Sequence, residues 1–322
     1  MRISSDGNPG YNRPMTAGSR KKTLTFAEAV AARYPGLLEK VQALIVDAER
    51  AFAGNSPEAD GSFLWEHTAH VAGLAYKLAE AEKRDPVPAA VAALFHDAGK
   101  FAGGRYHEGE VAEETRAAAL ADDILPKTRT KAAERRTVIA ALHALYDQRG
   151  AGNAISDLVH DADFLSKFGY LGVAAFFTKS ALRGRPLGDT VVRSLSKELT
   201  YAACLPFNMR TKAARALAIR KAADSSAFYR SLLDELRDVH DLRFEILEQR
   251  VPDPRRPGET LSIRLVLPRS CEVCGGRWRV ESRTTRGLKC ERLEARAVCR
   301  GCGAAHDISF CLPEIRPDSG PS

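Results

Sequence analysis

The stretch AALFHDAGK, Ala92 to Lys100, decides how this chain is read. An alanine-rich apolar run ends in the pair His96-Asp97, and Gly99 follows at once. That is the pattern of a buried helix carrying two ligand-capable side chains to its C-terminal end. Adjacent residues on an ideal helix point about 100° apart. Both reach one point only if that point lies near the helix end. Neither a histidine nor an aspartate is buried cheaply without a partner. The dipeptide alone also fits a core histidine bonded to a carbonyl beside an exposed capping aspartate, so the flanking sequence has to decide.

Working outward, Phe63 to Arg84 reads as a strong helix, with His67, His70, Val71, Leu74 and Leu78 on one broad face. Asp85-Pro86 ends it, and Val87 to His96 forms the short buried helix. Upstream, Thr25 to Ala53 reads as one or two helices broken at Pro35-Gly36, and the polar loop from Asn55 to Ser62 suits an active-site rim. Downstream come a loop from Gly99 to Arg105, a helix starting near His107, a helix from Ala132 to Tyr146, and a helix from Ile155 to Phe177. Helical patterning continues to about Val239. It then gives way to two short β-like runs, Leu242–Leu247 and Leu261–Leu267, around the proline-rich PDPRRPGE. The expectation is a mainly α protein: a disordered leader over 1–24, a helical domain over 25–239 and a small β-rich domain over 240–322.

The chain has 322 residues, 44% hydrophobic and 28% charged, enough for one large core and a smaller second unit. No run of 18 apolar residues exists, so no membrane helix is expected. The polar N-terminus lacks the apolar centre of a signal peptide, and the expected location is cytoplasmic. Net charge is +7. Between Ala181 and Arg230 ten Lys/Arg stand against three acids, a surplus that suits a phosphate-rich partner or simply a solvated helix face.

His67, His96, Asp97, His107, His143 and Asp163 together make a candidate ligand set for one or two divalent metals. Singly, each is more often structural, and spacing alone does not make them converge. The chain resembles the HD superfamily of metal-dependent phosphohydrolases. The resemblance rests on His67 in LWEHTAHVAGLA, His96-Asp97 in ALFHDAGK and Asp163 in HDADFLSKFG, and covers roughly Ala51 to Arg185. It implies a first metal held by His67, His96, Asp97 and Asp163, with Asp97 bridging to a second held by His107 and His143. The fullest dinuclear members carry an adjacent His-His pair here. This chain has Leu142-His143-Ala144 and is closer to the small dinuclear nucleotide hydrolases than to the cyclic-dinucleotide phosphodiesterases.

Such a site would activate water with a divalent ion, Mn, Fe, Mg, Co or Ni, against a phosphate ester or anhydride. The catalytic assignments are Asp97, Lys100 and Asp161, the last orienting a ligand histidine or the attacking water. Lys100 is the first candidate for substrate phosphates, followed by Arg105, Lys127 and Arg129. There is no Gly-rich phosphate loop, dinucleotide fingerprint or nucleophilic triad. A nucleotide or other phosphorylated small molecule is the expected substrate. Alternatives are a nuclease or an RNA- or DNA-end phosphatase, a non-enzymatic nucleic-acid or protein binding module, and a di-iron oxygenase on the same ligand set.

Six of seven cysteines lie between Cys271 and Cys311. Cys271-x-x-Cys274-Gly and Cys299-x-x-Cys302-Gly are separated by 24 residues, and each turn aims two thiolates at one point. This resembles a zinc ribbon with structural zinc; Cys290 and Cys311 are left over. Trp278 among arginines suggests nucleic-acid contact, but Glu272, Glu281, Glu291 and Glu294 offset much of that charge, and packing or a homo-oligomer surface is the other reading.

Overall fold

The computed structural model describes residues 24–53, 62–101, 113–145, 153–240, 244–253, 258–271, 273–286 and 291–312. The leader expected over 1–24 falls, but for Leu24, outside these. Helix α1 (Phe26–Arg33) opens on a capping box in which Glu28 N–H donates to Thr25 Oγ1 and Thr25 N–H donates to the Glu28 carboxylate. Pro35-Gly36 separates it from α2 (Leu37–Ala53). Then come α3 (Phe63–Ala81) and α4 (Pro86–Phe95). Asp85 caps α4 by accepting from Val87 N–H, and Pro86 takes the first-turn position where no donor is needed. Every residue from Val87 to Phe95 is buried, and α4 packs against α1 and α3. A helix apolar all round belongs in the centre of a bundle.

The bundle continues with α5 (Glu113–Ile124), a 3-10 turn (Leu125–Thr128), α6 (Ala132–Ala144), α7 (Ala154–Ser166), α8 (Gly169–Leu182), α9 (Leu187–Asn208) and α10 (Lys212–His240). The helix expected from Ile155 to Phe177 is therefore two. Phe168 is extended and Gly169 has φ +74°, which turns the chain between them. The Gly169 N–H is held by Ser225 Oγ of α10 at 2.7 Å. Helix α8 then passes so close over the end of α7 that a Cβ on Gly172 would stand 2.3 Å from the Lys167 carbonyl carbon. The periodic apolar pattern runs unbroken through this corner, so sequence periodicity hides it.

Five strands follow. β1 (Phe244–Pro252) and β2 (Thr260–Pro268) form an antiparallel hairpin, and β3 (Trp278–Arg286), β4 (Glu291–Cys299) and β5 (Ala305–Leu312) form an antiparallel meander. The hairpin packs on α9. Ser196 Oγ accepts from Val266 N–H at 2.8 Å, and Thr200 Oγ1 accepts from Arg264 N–H at 3.0 Å. Two hydroxyls four residues apart on a helix stand ~6 Å apart, and strand residues two apart stand ~6.6 Å apart, so one helix face serves the edge of β2. Three apolar clusters result. One fills the helical bundle around α4, one joins α8, α9 and α10 to Val266, and one joins Cys204 of α9 to β2 and the meander.

Candidate metal centre

The end of α4 sets the site. His96 is its C-cap, and the chain leaves in tight turns closed by Ala98 N–H to Phe95 O at 2.9 Å and Lys100 N–H to Asp97 O at 3.0 Å. This departure lets neighbours that would diverge on a helix face one region. His67 comes from the second turn of α3 and Asp163 from α7, both packed on α4. One donor atom each of His67, His96 and Asp163 lie within 4.8 Å of one another. Asp97 Oδ2 stands 3.5 Å from His67 Nε2 and 3.6 Å from His96 Nε2, and Asp163 Oδ1 stands 3.4 Å from His67 Nε2. Donors sharing one ion at ~2.1 Å stand roughly 3–4 Å apart.

The His96 side chain is wholly buried, and its Nδ1 lies 2.6 Å from Ala93 O. A carbonyl only accepts, so the proton sits on Nδ1 and the Nε2 lone pair faces the carboxylates. Nε2 has no hydrogen-bond partner among the described residues. A buried imidazole nitrogen with its lone pair aimed at two carboxylates and a second histidine is the donor set of a divalent metal. Burial lowers the His96 pKa, against the pull of Asp97 and Asp163, so the ring is neutral and ready to ligate. Burial pushes Asp97 up, but its positively charged neighbours, Lys100 foremost where His96 is neutral, outweigh it and hold the carboxyl below the usual range. For Asp163 burial is likewise outweighed by Lys167 and His67. The Lys100 ammonium lies 2.6 Å from Asp97 Oδ2, at the edge of the cluster.

Other expected site residues lie elsewhere. Asp161 points away: its carboxylate accepts from Arg210 N–H, Thr211 N–H and Thr211 Oγ1 at 2.7–3.1 Å, and its Oδ1 lies 3.0 Å from His160 Nδ1. It satisfies the backbone donors just before α10, and that structural cap replaces the expected role in orienting water. His143 is exposed in the last turn of α6, outside the donor cluster; His107 and Arg105 lie outside the described residues. Lys127 is on the surface, paired with both Asp123 oxygens at 2.8 Å, and Arg129 is exposed with φ +60°, so no described contact brings either to the cluster. His70, one turn beyond His67, is half-buried, and burial, Lys221 and His67 lower its pKa to about 4. Sequence reasoning missed Lys167, whose Nζ lies 2.9 Å from Asp163 Oδ2 and 4.9 Å from the centre of the Phe164 ring. Its signal was present: it follows Asp163 by four residues.

The four cysteines make a second donor cluster. Cys271, Cys274, Cys299 and Cys302 all lie within 4.8 Å of one another, with Sγ–Sγ distances of 3.6 Å (Cys271–Cys302) and 3.4 Å (Cys274–Cys299). Disulfide sulfurs stand at ~2.05 Å. Sulfurs at ~2.3 Å from a tetrahedral ion stand ~3.8 Å apart. The two knuckles repeat one geometry: Gly275 N–H donates to Cys271 O, Gly303 N–H donates to Cys299 O, and both glycines have φ near +70°. Trp278 is 8% exposed and its Nε1–H donates to Pro268 O at 2.7 Å. It is a core residue, and the expected stacking platform for nucleic acid is not on the surface. Cys290 lies outside the described residues.

Residues 64–165 match the HD domain family. The chain carries an HD domain, as the resemblance implied. Searched by sequence, it matches no curated protein. Among solved structures it is similar to Bacillus subtilis YpgQ in complex with ADP, at 19% identity and TM-score 0.46, covering 66% of this chain and 97% of that one. It is also similar to a predicted HD superfamily hydrolase from an uncultured Thermotogales bacterium (21% identity, TM-score 0.43, 62% and 92% covered). A Bacillus thuringiensis HD-superfamily hydrolase gives 21% identity, TM-score 0.40 and coverage of 62% and 97%. No helix among the described residues is long and apolar enough to cross a membrane.

Proposed function

We propose that this protein is a metal-dependent phosphohydrolase acting on a nucleotide or another small phosphate ester or anhydride. The observation that carries the proposal is the buried, unpartnered Nε2 of His96 aimed at His67, Asp97 and Asp163. A divalent ion held by these four residues would lower the pKa of a water and neutralise phosphoryl oxygens. The chain's own part is preparation. Ala93 O fixes the His96 tautomer, and the carboxylates stay ionised to low pH. Lys100 places an ammonium beside Asp97, where a phosphoryl oxygen would meet it. In the same reading the four cysteines hold a structural zinc that stitches the meander together. The nuclease alternative is less favoured: Trp278 is buried, and Arg210 within the basic segment is spent on Asp157 at 3.2 Å.

The test is a hydrolysis screen with bis-p-nitrophenyl phosphate and nucleoside mono-, di- and triphosphates under Mn, Co, Ni, Mg or Fe(II), on wild type and His96→Ala. Turnover by the wild type alone supports the reading. Equal rates in both proteins, or none with any metal, would sink it.

A further inference from the structure

Helix α8 carries a single charge, Lys179, in its 14 residues and is otherwise mostly apolar. One face of it is covered. Gly172, Val173 and Ser180 are buried, and the rings of Phe176 and Phe177 pack against Tyr229 of α10, with centres 5.9 and 6.5 Å away. The opposite face is open. Tyr170 is 71% exposed, Leu171 63% and Leu182 52%, and the residues between them on that face, Ala175 and Thr178 among them, are exposed as well. A helix of this composition belongs inside, as α4 does, so α8 lacks a cover.

Single exposed apolar side chains are ordinary. Here they form one stripe. Leu171, Ala175, Thr178 and Leu182 fall within about 60° of the helix circumference along ~17 Å of its length. The longer stretches outside the described residues, 1–23, 54–61, 102–112, 146–152 and 313–322, hold no apolar run in sequence, so they offer no matching cover. The spacing points to the occupant. The four positions are separated by four, three and four residues, an order that reads the same in both directions. A twofold axis between Ala175 and Thr178 sets Leu171 on the partner's Leu182 and Ala175 on the partner's Thr178, with small residues at the crossing and leucines at both ends. With Tyr170 and the flanking alanines the stripe presents on the order of 600 Å², the upper end of what monomers leave open and most of the ~800 Å² that each partner gives a standard interface. Lys179 stands at the edge of the stripe, where its ammonium stays in water, so pairing buries no charge.

We infer that the open face of α8 is a self-association surface, on which two copies of this chain pair their α8 helices antiparallel about a twofold axis. The pairing does not depend on the hydrolase reading.

The test is sedimentation equilibrium of the full chain, purified without chelator, at up to about 100 μM, above the micromolar end of the affinities that interfaces show. Wild type should run at twice the 35.1 kDa chain mass. Leu171→Glu and Leu182→Lys should each raise the dissociation constant at least about a hundredfold, because a twofold interface holds every substitution twice. Both positions are exposed, so circular dichroism should show both variants folded; should one misfold, the other decides alone by whether its dimer splits. An equimolar mixture of the two variants should regain a dimer, since one new carboxylate then meets one new ammonium while the second contact stays leucine on leucine. A monomeric wild type overturns the inference, and if that monomer pellets with phosphatidylglycerol vesicles, the face belongs to an anionic lipid surface. A dimer that survives both substitutions places the contact on another face, and a mixture of folded variants that stays monomeric removes the antiparallel register; either result overturns the pairing.

Discussion

The donors of the His–Asp cluster are spread from residue 67 to residue 163 on three elements, whereas the four cysteines come from two short knuckles with nearly identical turns. In the first cluster, convergence is the work of helix packing. An apolar α4 is buried on all sides, α3 and α7 lie against it, and a tight turn bends His96-Asp97 toward both. In the second, each pair of sulfurs is aimed by its own glycine turn, and only the register of β3 on β4 brings the pairs together, with Trp278 opposite Cys299. The helical cluster is thus held by the core whether or not an ion is present, while the cysteine cluster sits on small antiparallel strands with little core of their own. The contrast teaches that one site should tolerate ion removal and the other should not.

The largest expected effect breaks the weaker side. Cys299→Ser should lose the metal of the cysteine cluster, with stabilisation on the order of 10 kcal/mol at stake. Hydrogen exchange should then show β3–β5 unprotected while α3, α4 and α7 keep their protection. Loss of protection in α4 as well would mean that the two regions fold as one unit. Next, Asp163→Ala should lower hydrolysis by about 10³-fold, ~4 kcal/mol in the barrier, with the melting temperature of the helices little changed. A residual rate within tenfold of wild type would remove Asp163 from the metal set.

Asp161→Ala offers the internal control, two residues from Asp163 but facing the other way. It leaves the part-buried Arg210 and Thr211 N–H groups without their acceptor, so denaturant unfolding should show a loss of about 1–3 kcal/mol. Its metal content should match wild type, and a selective loss of metal would return Asp161 to the functional set. The smallest effect is a pH dependence. Desolvation, then Arg183, Lys100 and Lys167, lower the Lys179 pKa to about 8, although its side chain keeps an exposed face. Lys179 is cationic below that pH and neutral above it. Acylation of Lys179 by a limiting amine reagent, read by mass spectrometry, should rise as pH passes through about 8, and an onset in the range of ordinary lysines would contradict it.

What could be read in the sequence follows the same contrast. The cysteine knuckles were legible because their geometry is local: two thiols and a glycine fix most of it. The order of the first helices, the stop at Asp85-Pro86 and the break at Pro35-Gly36 were legible for the same reason. For the His–Asp set, the residue types were visible but their meeting point was not, and the HD resemblance supplied it. The sequence separated Asp163, the ligand, from Asp161, the orienting residue, but only the position of Arg210 and Thr211 shows that the Asp161 carboxylate is already spent. Lys167 was readable as the residue four beyond Asp163, whereas the corner at Gly169 was hidden inside an unbroken apolar pattern.

The most direct measurement is elemental analysis of wild type and Asp97→Ala, purified without chelator and then exposed to excess divalent ions and desalted. The account predicts one zinc per chain in both proteins, held by the cysteines, and at least one further ion in the wild type that Asp97→Ala lacks. Zinc alone, in equal amount in both proteins, would contradict the claim that His67, His96, Asp97 and Asp163 form a working metal centre.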